Sequence, residues 1–434
     1  MHSRILVLLA LIAMVLIAAS MPHAAMSAPA ARSFPDTTDG IFVFNDQLAT
    51  WDMSEAQFAL AAAQYVGSQK LIVSDTRHLR QYNPNFLVLH YRLGQALGHS
   101  SPDGNCNATT NYIYIVNGDK WVREYPRPKQ VQEEWFAHRN RQRVFNCAYG
   151  HYLMNLKNAS WRAWWSNQVI KQLQNNENDG VFADSYSVPN YFGGCSWKPC
   201  LPVIDAKFET KWANMERAFT DFIRAQFAGR WVWLPNVGAW ITSRDPSDYS
   251  NTDGVMFEGY AEWGEGNYFA EDDWVLQQNR ALALINANKI VIAQTYPNAN
   301  DVDERMFILG TYLLVKGTRT YVNLDTGLAP EWFPEYALDL GSPMQTFPVS
   351  INALYDADAQ VYRRLYQNGR VLVNPSDATR NVNLGATYYR ATPQGGGDVP
   401  SDGQIPAAWK IVYSAVTSVM LAPHQAAVLL NAAP

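Results

Sequence analysis

The sequence predicts a (β/α)8 barrel followed by a small C-terminal antiparallel β-sandwich. Three observations carry the prediction. Short β-rich runs alternate with helical segments over about 300 residues, the rhythm of parallel strands joined by crossover helices. Two of those runs, at 179–185 and 253–259, share one pattern, each leading from Asp-Gly through three apolar residues to an acid. Beyond about residue 348 the helical segments stop while short strands continue.

The first residues have the form of a targeting signal. Arg4 supplies a positive start, Ile5 to Ala19 is uninterrupted and apolar, and Met26-Ser27-Ala28 is a small-residue cleavage site. That run is shorter than the roughly 20 residues that span a bilayer. A signal peptide over 1–28 is therefore expected, with export to a secreted or periplasmic location and no membrane attachment after cleavage.

The barrel is expected over 36–348. Ile41–Phe44 is the first strand, followed by a helix near Ser54 to Val66. Leu71-Ile72-Val73 is the second strand and Phe86–Leu89 the third. An irregular stretch to about 150 contains Tyr112–Ile115, an expected inserted strand. A helix over Ala159–Leu173 leads to the fourth strand, Gly180–Ala183. A helix over 205–227 leads to the fifth, Trp231–Leu234, and Gly254–Phe257 is the sixth. Helices over 272–287 and 302–315 precede the seventh, Ile290–Ala293, and the eighth, Thr320–Val322. The rival, an open doubly wound sheet, normally carries a Gly-rich phosphate turn after its first strand. Here Asn45-Asp46-Gln47 follows instead. The C-terminal domain, 349–434, is read from Val361–Tyr366, Arg370–Val373 and Ala426–Leu430, separated by turns such as Asn368-Gly369.

Composition narrows the partners. A net charge of −5 gives no basic excess, which argues against nucleic acid. Aromatic residues make up 13%, with 15 Trp and 23 Tyr, and such rings suit the C–H faces of sugars. Four cysteines in an exported chain permit two disulfides. Cys195 and Cys200 enclose a short loop, which leaves Cys106 with Cys147, one pairing among three. A zinc site lacks the C-x2-C spacing and a clustered His set. No metal or cofactor is expected, and oligomeric state is left open.

The chemistry is read from the matched segments. Side chains alternate faces along a strand, so Asp184 shares a face with Phe182 and Glu258 with Met256. Both acids fall at the C-terminal ends of their strands, where barrel active sites are built. With one strand between them, they can face each other across the mouth. Glycosidic bond cleavage needs such a pair. Residue type and strand order assign Glu258 as general acid/base, with Phe257 and Tyr260 as apolar neighbours raising its pKa, and Asp184 as nucleophile, with the swapped roles as the alternative. Asp179 and Asp253, at the opposite ends of the strands, are read as structural.

Other strand ends offer groups for sugar hydroxyls. The expected substrate contacts are Asp46, Asp75, Tyr91, Asn236 and Gln294, with Trp240, Tyr260 and Trp263 as rim aromatics. Thr295, Tyr296, Asn323 and Asp325 also fall at strand ends. The acidic group Glu262, Glu265, Glu271, Asp272 and Asp273 is read as a solvated helix start.

The segments DGVFADS at 179–185, DGVMFEG at 253–259 and RLYQNGRVLVNPS at 364–376 resemble hypothetical glycosyl hydrolase family fifteen. The arrangement is more distantly similar to α-galactosidase-like and polygalactosaminidase-like barrels. The resemblance covers roughly 36–430. It implies a retaining-type barrel with an Asp nucleophile on strand four and an acid on strand six, roles that fall on Asp184 and Glu258. The paired Asp-Asp of the α-galactosidase-like enzymes is only Asn45-Asp46 here, so galactose specificity does not transfer.

The expected function is a secreted glycoside hydrolase acting on a poly- or oligosaccharide. Two other readings are weighed. A non-catalytic carbohydrate-binding barrel has no need of both acids. A metal-dependent polysaccharide deacetylase needs a His/Asp metal set, and the eight His are scattered.

Overall fold

The computed structural model describes residues 32–98, 114–115, 123–124, 131–146, 151–191, 193–238, 240, 243–344 and 347–434. The expected signal peptide, Cys106, Cys147 and part of the expected inserted strand lie outside these. Tyr114–Ile115 pairs antiparallel with Arg123–Glu124.

Eight parallel strands form the barrel: β1 (Val43–Phe44), β2 (Tyr65–Gln69), β3 (Leu87–Leu93), β4 (Gly180–Asp184), β5 (Val232–Pro235), β6 (Gly254–Glu258), β7 (Ile290–Thr295) and β8 (Thr320–Leu324). Their order is β5-β4-β3-β2-β1-β8-β7-β6. The ring closes between β5 and β6 through a parallel bridge of Asn236 with Met256. There the Val237 amide donates to Met256 at 2.9 Å and the Asp253 amide to Trp233 at 3.1 Å.

Among the described residues six α-helices accompany these strands: α1 (Glu55–Gln64), α2 (Val73–Tyr82), α3 (Ala159–Asn175), α4 (Ala206–Phe227), α5 (Glu271–Asn286) and α6 (Val302–Val315). Side-chain caps set several starts. Ser54 and Gln57 form a capping box at α1, and Asn158, Asp205 and Asp301 cap α3, α4 and α6. The β5–β6 connection has no helix among its described residues.

The second strand differs from expectation. Leu71-Ile72-Val73 does not form it; β2 lies earlier, at Tyr65–Gln69, and Val73 opens α2. The reason is local. At Gly67 a side chain would meet Leu87 Cβ at 2.7 Å and Phe44 at 2.9 Å, so the crowded interior admits no apolar residue there. Ser68 and Gln69 are buried polar groups that hydrogen-bond Asn45 and Asp46. The strand therefore lacks the apolar run that marks its neighbours.

Alternation divides the barrel residues into two sets. Phe44, Leu87, Leu89, Phe182, Leu234, Met256, Ile290, Ile292 and Tyr321 fill the interior. Phe34 closes the bottom, with its ring 5.7 Å from Phe44 and 5.3 Å from Tyr321. Val88, Val181, Trp233, Val255, Phe257 and Val291 belong to the larger core that includes the helices.

The two Asp-Gly pairs act alike. Asp179 accepts from the Val88 amide at 2.8 Å and pairs with Arg80 at 2.8 Å. Asp253 accepts from the Trp233 amide at 2.9 Å and pairs with Arg224 at 2.7 Å. Each acid thus ties a neighbouring strand to a helix. Asp179 and Arg80 are both nearly buried, so Asp179→Ala leaves the guanidinium without its countercharge. The expected loss is about 3 kcal/mol in denaturant unfolding. Asp253→Ala is expected to cost less, because Arg224 is 40% exposed and solvent screens that pair.

The C-terminal sheet has six antiparallel strands: β9 (Tyr355–Asp356), β10 (Val361–Tyr366), β11 (Gly369–Asn374), β12 (Arg380–Gln394), β13 (Lys410–Leu421) and β14 (Gln425–Leu430), in the order β9-β10-β11-β14-β12-β13. One face packs on α6, where Gly310 admits Ala426, Val371 and Val373. Buried Arg364 donates to the carbonyls of Leu313, Leu314 and Lys316, and Tyr366 to Leu313, capping the helix end. The register of β12 against β13 breaks between Asn383 and Tyr388. Val382, Leu384, Val419 and Leu421 of this hairpin share a second core with Val361, Leu372, Ala427 and Leu429. A single sheet thereby builds a two-layer domain.

Candidate active site

Two residues beyond the apolar layer, the inward positions become polar. Asp46 follows Phe44, Gln69 follows Gly67, and Tyr91 follows Leu89. Asp184, Asn236, Glu258, Gln294 and Asn323 continue the ring in the same phase. The apolar interior is thus topped by hydrogen-bonding groups at the C-terminal ends of the strands.

Asp184 and Glu258 meet in this layer through Asn236. The Asn236 Nδ2 donates to Asp184 Oδ1 at 2.9 Å and also to Glu258 Oε2. Its Oδ1 accepts from the Gly238 amide at 3.1 Å, which fixes the orientation of the amide. Sharing one NH2 group keeps the two carboxylate oxygens within two hydrogen-bond lengths, roughly 6 Å. Asp184 Oδ2 accepts from the Tyr91 hydroxyl, and Oδ1 from the Ser185 amide at 2.7 Å. Glu258 Oε1 accepts from the Tyr296 hydroxyl.

The remaining ring members surround this pair. Asp46 takes Gln69 Nε2 on one oxygen and Lys70 Nζ, at 2.6 Å, on the other. Gln294 Nε2 donates to Tyr296 at 3.1 Å and to Asp325 at 3.4 Å. Burial, then the charges of Asp184 and Asp46, pushes the Glu258 carboxyl up to about 6, against the Tyr296 hydrogen bond and Lys70. Burial and Asp46 push Asp325 up to about 7. Several acids crowded with little water cannot all ionise easily.

A four-stranded antiparallel excursion, with three strands between β3 and β4 and the last after β4, reaches this end of the barrel. It comprises Ala96–Gly98, Phe145–Asn146, His151–Leu153 and Trp197–Lys198. Cys195 and Cys200 are joined by a disulfide beside its last strand. Burial pulls His151 down to about 4, partly opposed by Asp184, so the ring is neutral at neutral pH.

The expected contact residues divide. Asp46, Tyr91, Asn236 and Gln294 lie in the polar ring. Trp263 is half-buried, next to the position after Glu258, with its ring 6.1 Å from Tyr191. Asp75 does not follow a strand; it stands in the first turn of α2 and accepts from Thr50 at 2.5 Å. Trp240 is buried, stacked at 5.9 Å on Phe257 with the Arg280 guanidinium 4.8 Å from its ring. Tyr260 is fully buried and donates to Gln278 on α5 at 2.5 Å. Asp75, Trp240 and Tyr260 thus stand outside the ring.

Lys70 and Gln69 escaped notice because the second strand was expected at 71–73. Counting inward positions from Phe44 and Leu89 marks the layer they occupy. Tyr296 and Asp325 were legible as strand-end groups, but nothing marked the Tyr296 hydrogen bond to Glu258 or the charge of Glu258 that bears on Asp325.

Glu262 also departs from expectation. It is fully buried rather than solvated, while Glu271, Asp272 and Asp273 do form the first turn of α5. Burial and neighbouring Glu304 push Glu262 up to about 9. Glu304 in turn accepts from the amides of Gly266, at 2.6 Å, and Asn298, at 3.0 Å. The folded chain therefore keeps a proton that the unfolded chain releases above its ordinary value of 4.5. The stabilisation is complete below that value and is lost as pH rises toward about 9. Thermal unfolding between pH 5 and 9 is expected to show a falling Tm, and Glu262→Gln should flatten the fall.

A TIM-type barrel whose strand ends bring two carboxylates together defines the class of protein. The sequence profile of hypothetical glycosyl hydrolase family 15 matches residues 80–370, more than half of the chain. The chain belongs to that family and is a glycoside hydrolase. No curated protein matches its sequence. Among solved structures it is similar to the glycoside hydrolase domain of PelA from Pseudomonas aeruginosa. That match has 12% identity and a TM-score of 0.41, covering 65% of this chain and 93% of that one. Ega3 of Aspergillus fumigatus, solved with galactosamine, matches at 12% and 0.36, covering 69% and 96%. The maltogenic α-amylase AmyB of Thermotoga neapolitana matches at 10% and 0.41, covering 89% and 98%.

Proposed function

We propose that the chain is an exported, retaining glycoside hydrolase of a poly- or oligosaccharide, with Asp184 as nucleophile and Glu258 as general acid/base. The observation that carries this reading is the Asn236 amide held between the two carboxylates. Carboxyls about 5–5.5 Å apart suit direct attack on the anomeric carbon, and about 6.5–9.5 Å seats a water between acid and base. The shared amide holds its two acceptor oxygens within roughly 6 Å, which favours the nearer case.

In the first step Glu258 protonates the leaving oxygen as Asp184 attacks the anomeric carbon. The glycosidic bond breaks and a glycosyl ester forms. In the second step ionised Glu258 takes a proton from water, which displaces Asp184 from the sugar. Tyr91, Asn236 and Ser185 supply donors that keep Asp184 in place. Asp46, Gln294 and half-buried Trp263 offer further contacts to the ring. The steps require no metal or cofactor. The leader over 1–28 carries the chain out of the cytoplasm.

Protonated Glu258 is needed in the first step, so kcat/KM should fall as pH rises through about 6. The test is hydrolysis of a panel of aryl glycosides and oligosaccharides by wild type and Glu258→Gln. Wild type is expected to cleave at least one member. On that sugar, Glu258→Gln should retain glycosylation only with a leaving group, such as dinitrophenolate, that departs without a proton. Equal losses for good and poor leaving groups would remove Glu258 from the acid role.

A further inference from the structure

Four carboxyls surround the mouth: Asp46 on the β1 side, Asp184 on β4, Glu258 on β6 and Asp325 after β8. The ammonium that faces them is Lys70, the residue after β2. Its backbone is left-handed, with φ of 63°, a region that side chains other than Gly seldom occupy and that clusters at functional sites. The side chain is only 11% exposed. Its Nζ lies 2.6 Å from Asp46 Oδ2, 3.3 Å from Gln47 Oε1 and 5.2 Å from the centroid of the Tyr91 ring. Tyr91 in turn donates to Asp184.

We propose that Lys70 is a positioning residue: its ammonium holds Asp46 and lies over Tyr91, steadying the donor of Asp184 and opposing the negative charge that bears on Glu258. This rests on the reading of Asp184 and Glu258 as the reacting pair. A cation over a phenol ring is attracted by its face and strengthens the hydroxyl as a donor. The same charge favours ionised carboxylates around it. The titratable groups that face Glu258 are Asp184, Asp46, Asp325, Lys70 and the Tyr296 hydroxyl. Neutral His151 faces Asp184 from the excursion. Burial pulls the Lys70 ammonium down, but Asp46, Asp184 and Glu258 outweigh it and hold it charged. Within this set Lys70 counters the three acids that would otherwise keep Glu258 protonated to higher pH.

A plain counter-ion for Asp46 would matter for folding alone. The test therefore reads charge. Carbon-13 NMR of glutamate-labelled protein follows the Glu258 carboxyl, identified as the signal that Glu258→Gln removes. In wild type its midpoint is expected near 6. Lys70→Met should raise it by about one pH unit, and Lys70→Arg should leave it close to wild type. Asp46→Asn, which removes an acid and frees the ammonium, should lower it. The opposite signs keep the proposal open to refutation even if Lys70→Met fails to fold. A midpoint that stays put in Lys70→Met, or does not fall in Asp46→Asn, overturns it. On any glycoside that wild type cleaves, the basic limb of kcat/KM should move with the midpoint. If the midpoints shift as stated but wild type cleaves no glycoside, the hydrolase reading fails and the control of Glu258 by Lys70 stands.

Discussion

Asp184→Asn is expected to lower kcat by about 10⁴ or more on every substrate the wild type cleaves. The amide keeps the shape and the hydrogen-bonding reach of the side chain but supplies no anion to bond the anomeric carbon. Tyr91, Asn236 and the Ser185 amide all donate toward this carboxylate, so the site is built around a negative charge at that position. The loss should be independent of leaving group, in contrast to Glu258→Gln. A small external nucleophile such as azide should restore turnover in a variant with a smaller side chain, Asp184→Gly, and should yield a glycosyl azide. Mass spectrometry of the product checks this. An Asp184→Asn variant within tenfold of wild type would show that bond-making lies elsewhere.

Asn236→Ala is expected to reduce kcat by about 10²–10³, the usual cost of losing one fixed donor at a reacting centre. Asn236 sits where β5 closes on β6, and its side chain is oriented by the Gly238 amide. Without the shared NH2 group, the oxygens of Asp184 and Glu258 face each other with no donor between them. Their repulsion should hold the proton on Glu258 to higher pH, so the basic limb of kcat/KM moves up. Asn236→Asp adds a third carboxyl at that point and should lose more activity than Ala. The pH-rate profiles of the two variants check both expectations. A loss of stability alone would lower the active fraction and leave the limb in place.

Much of this site was readable from the chain. Strand alternation projects Asp184 from Phe182 and Glu258 from Met256, and the interior layer bears out that phase. The repeated Asp-Gly start is legible because both strands solve one packing problem. At Gly180 and Gly254 the backbone of the neighbouring strand passes too close for a side chain. β2 was not legible, because its inward residues are Gly67 and Gln69. A search for apolar runs passes over a strand whose inward face holds a close approach and a polar contact. Lys70 was hidden with it. Trp240 and Tyr260 were misleading for a different reason. Beyond the strand, Gly259 turns the chain through a φ of 81°, so alternation no longer tells which way Tyr260 faces. Glu262 looked solvated beside other acids, yet tertiary packing against the start of α6 buries it. Local sequence carries the strand phase, whereas loop side chains are placed by contacts far along the chain.

The account depends on two acids close enough to act on one anomeric carbon without a water between them. Proton NMR of the first product formed from a substrate of known anomeric configuration, recorded before mutarotation, tests this most directly. Retention of the substrate's configuration is predicted, with a steady first product of the same anomer. An initial product of the opposite anomer would contradict the close pair and assign Asp184 and Glu258 to opposite sides of an attacking water.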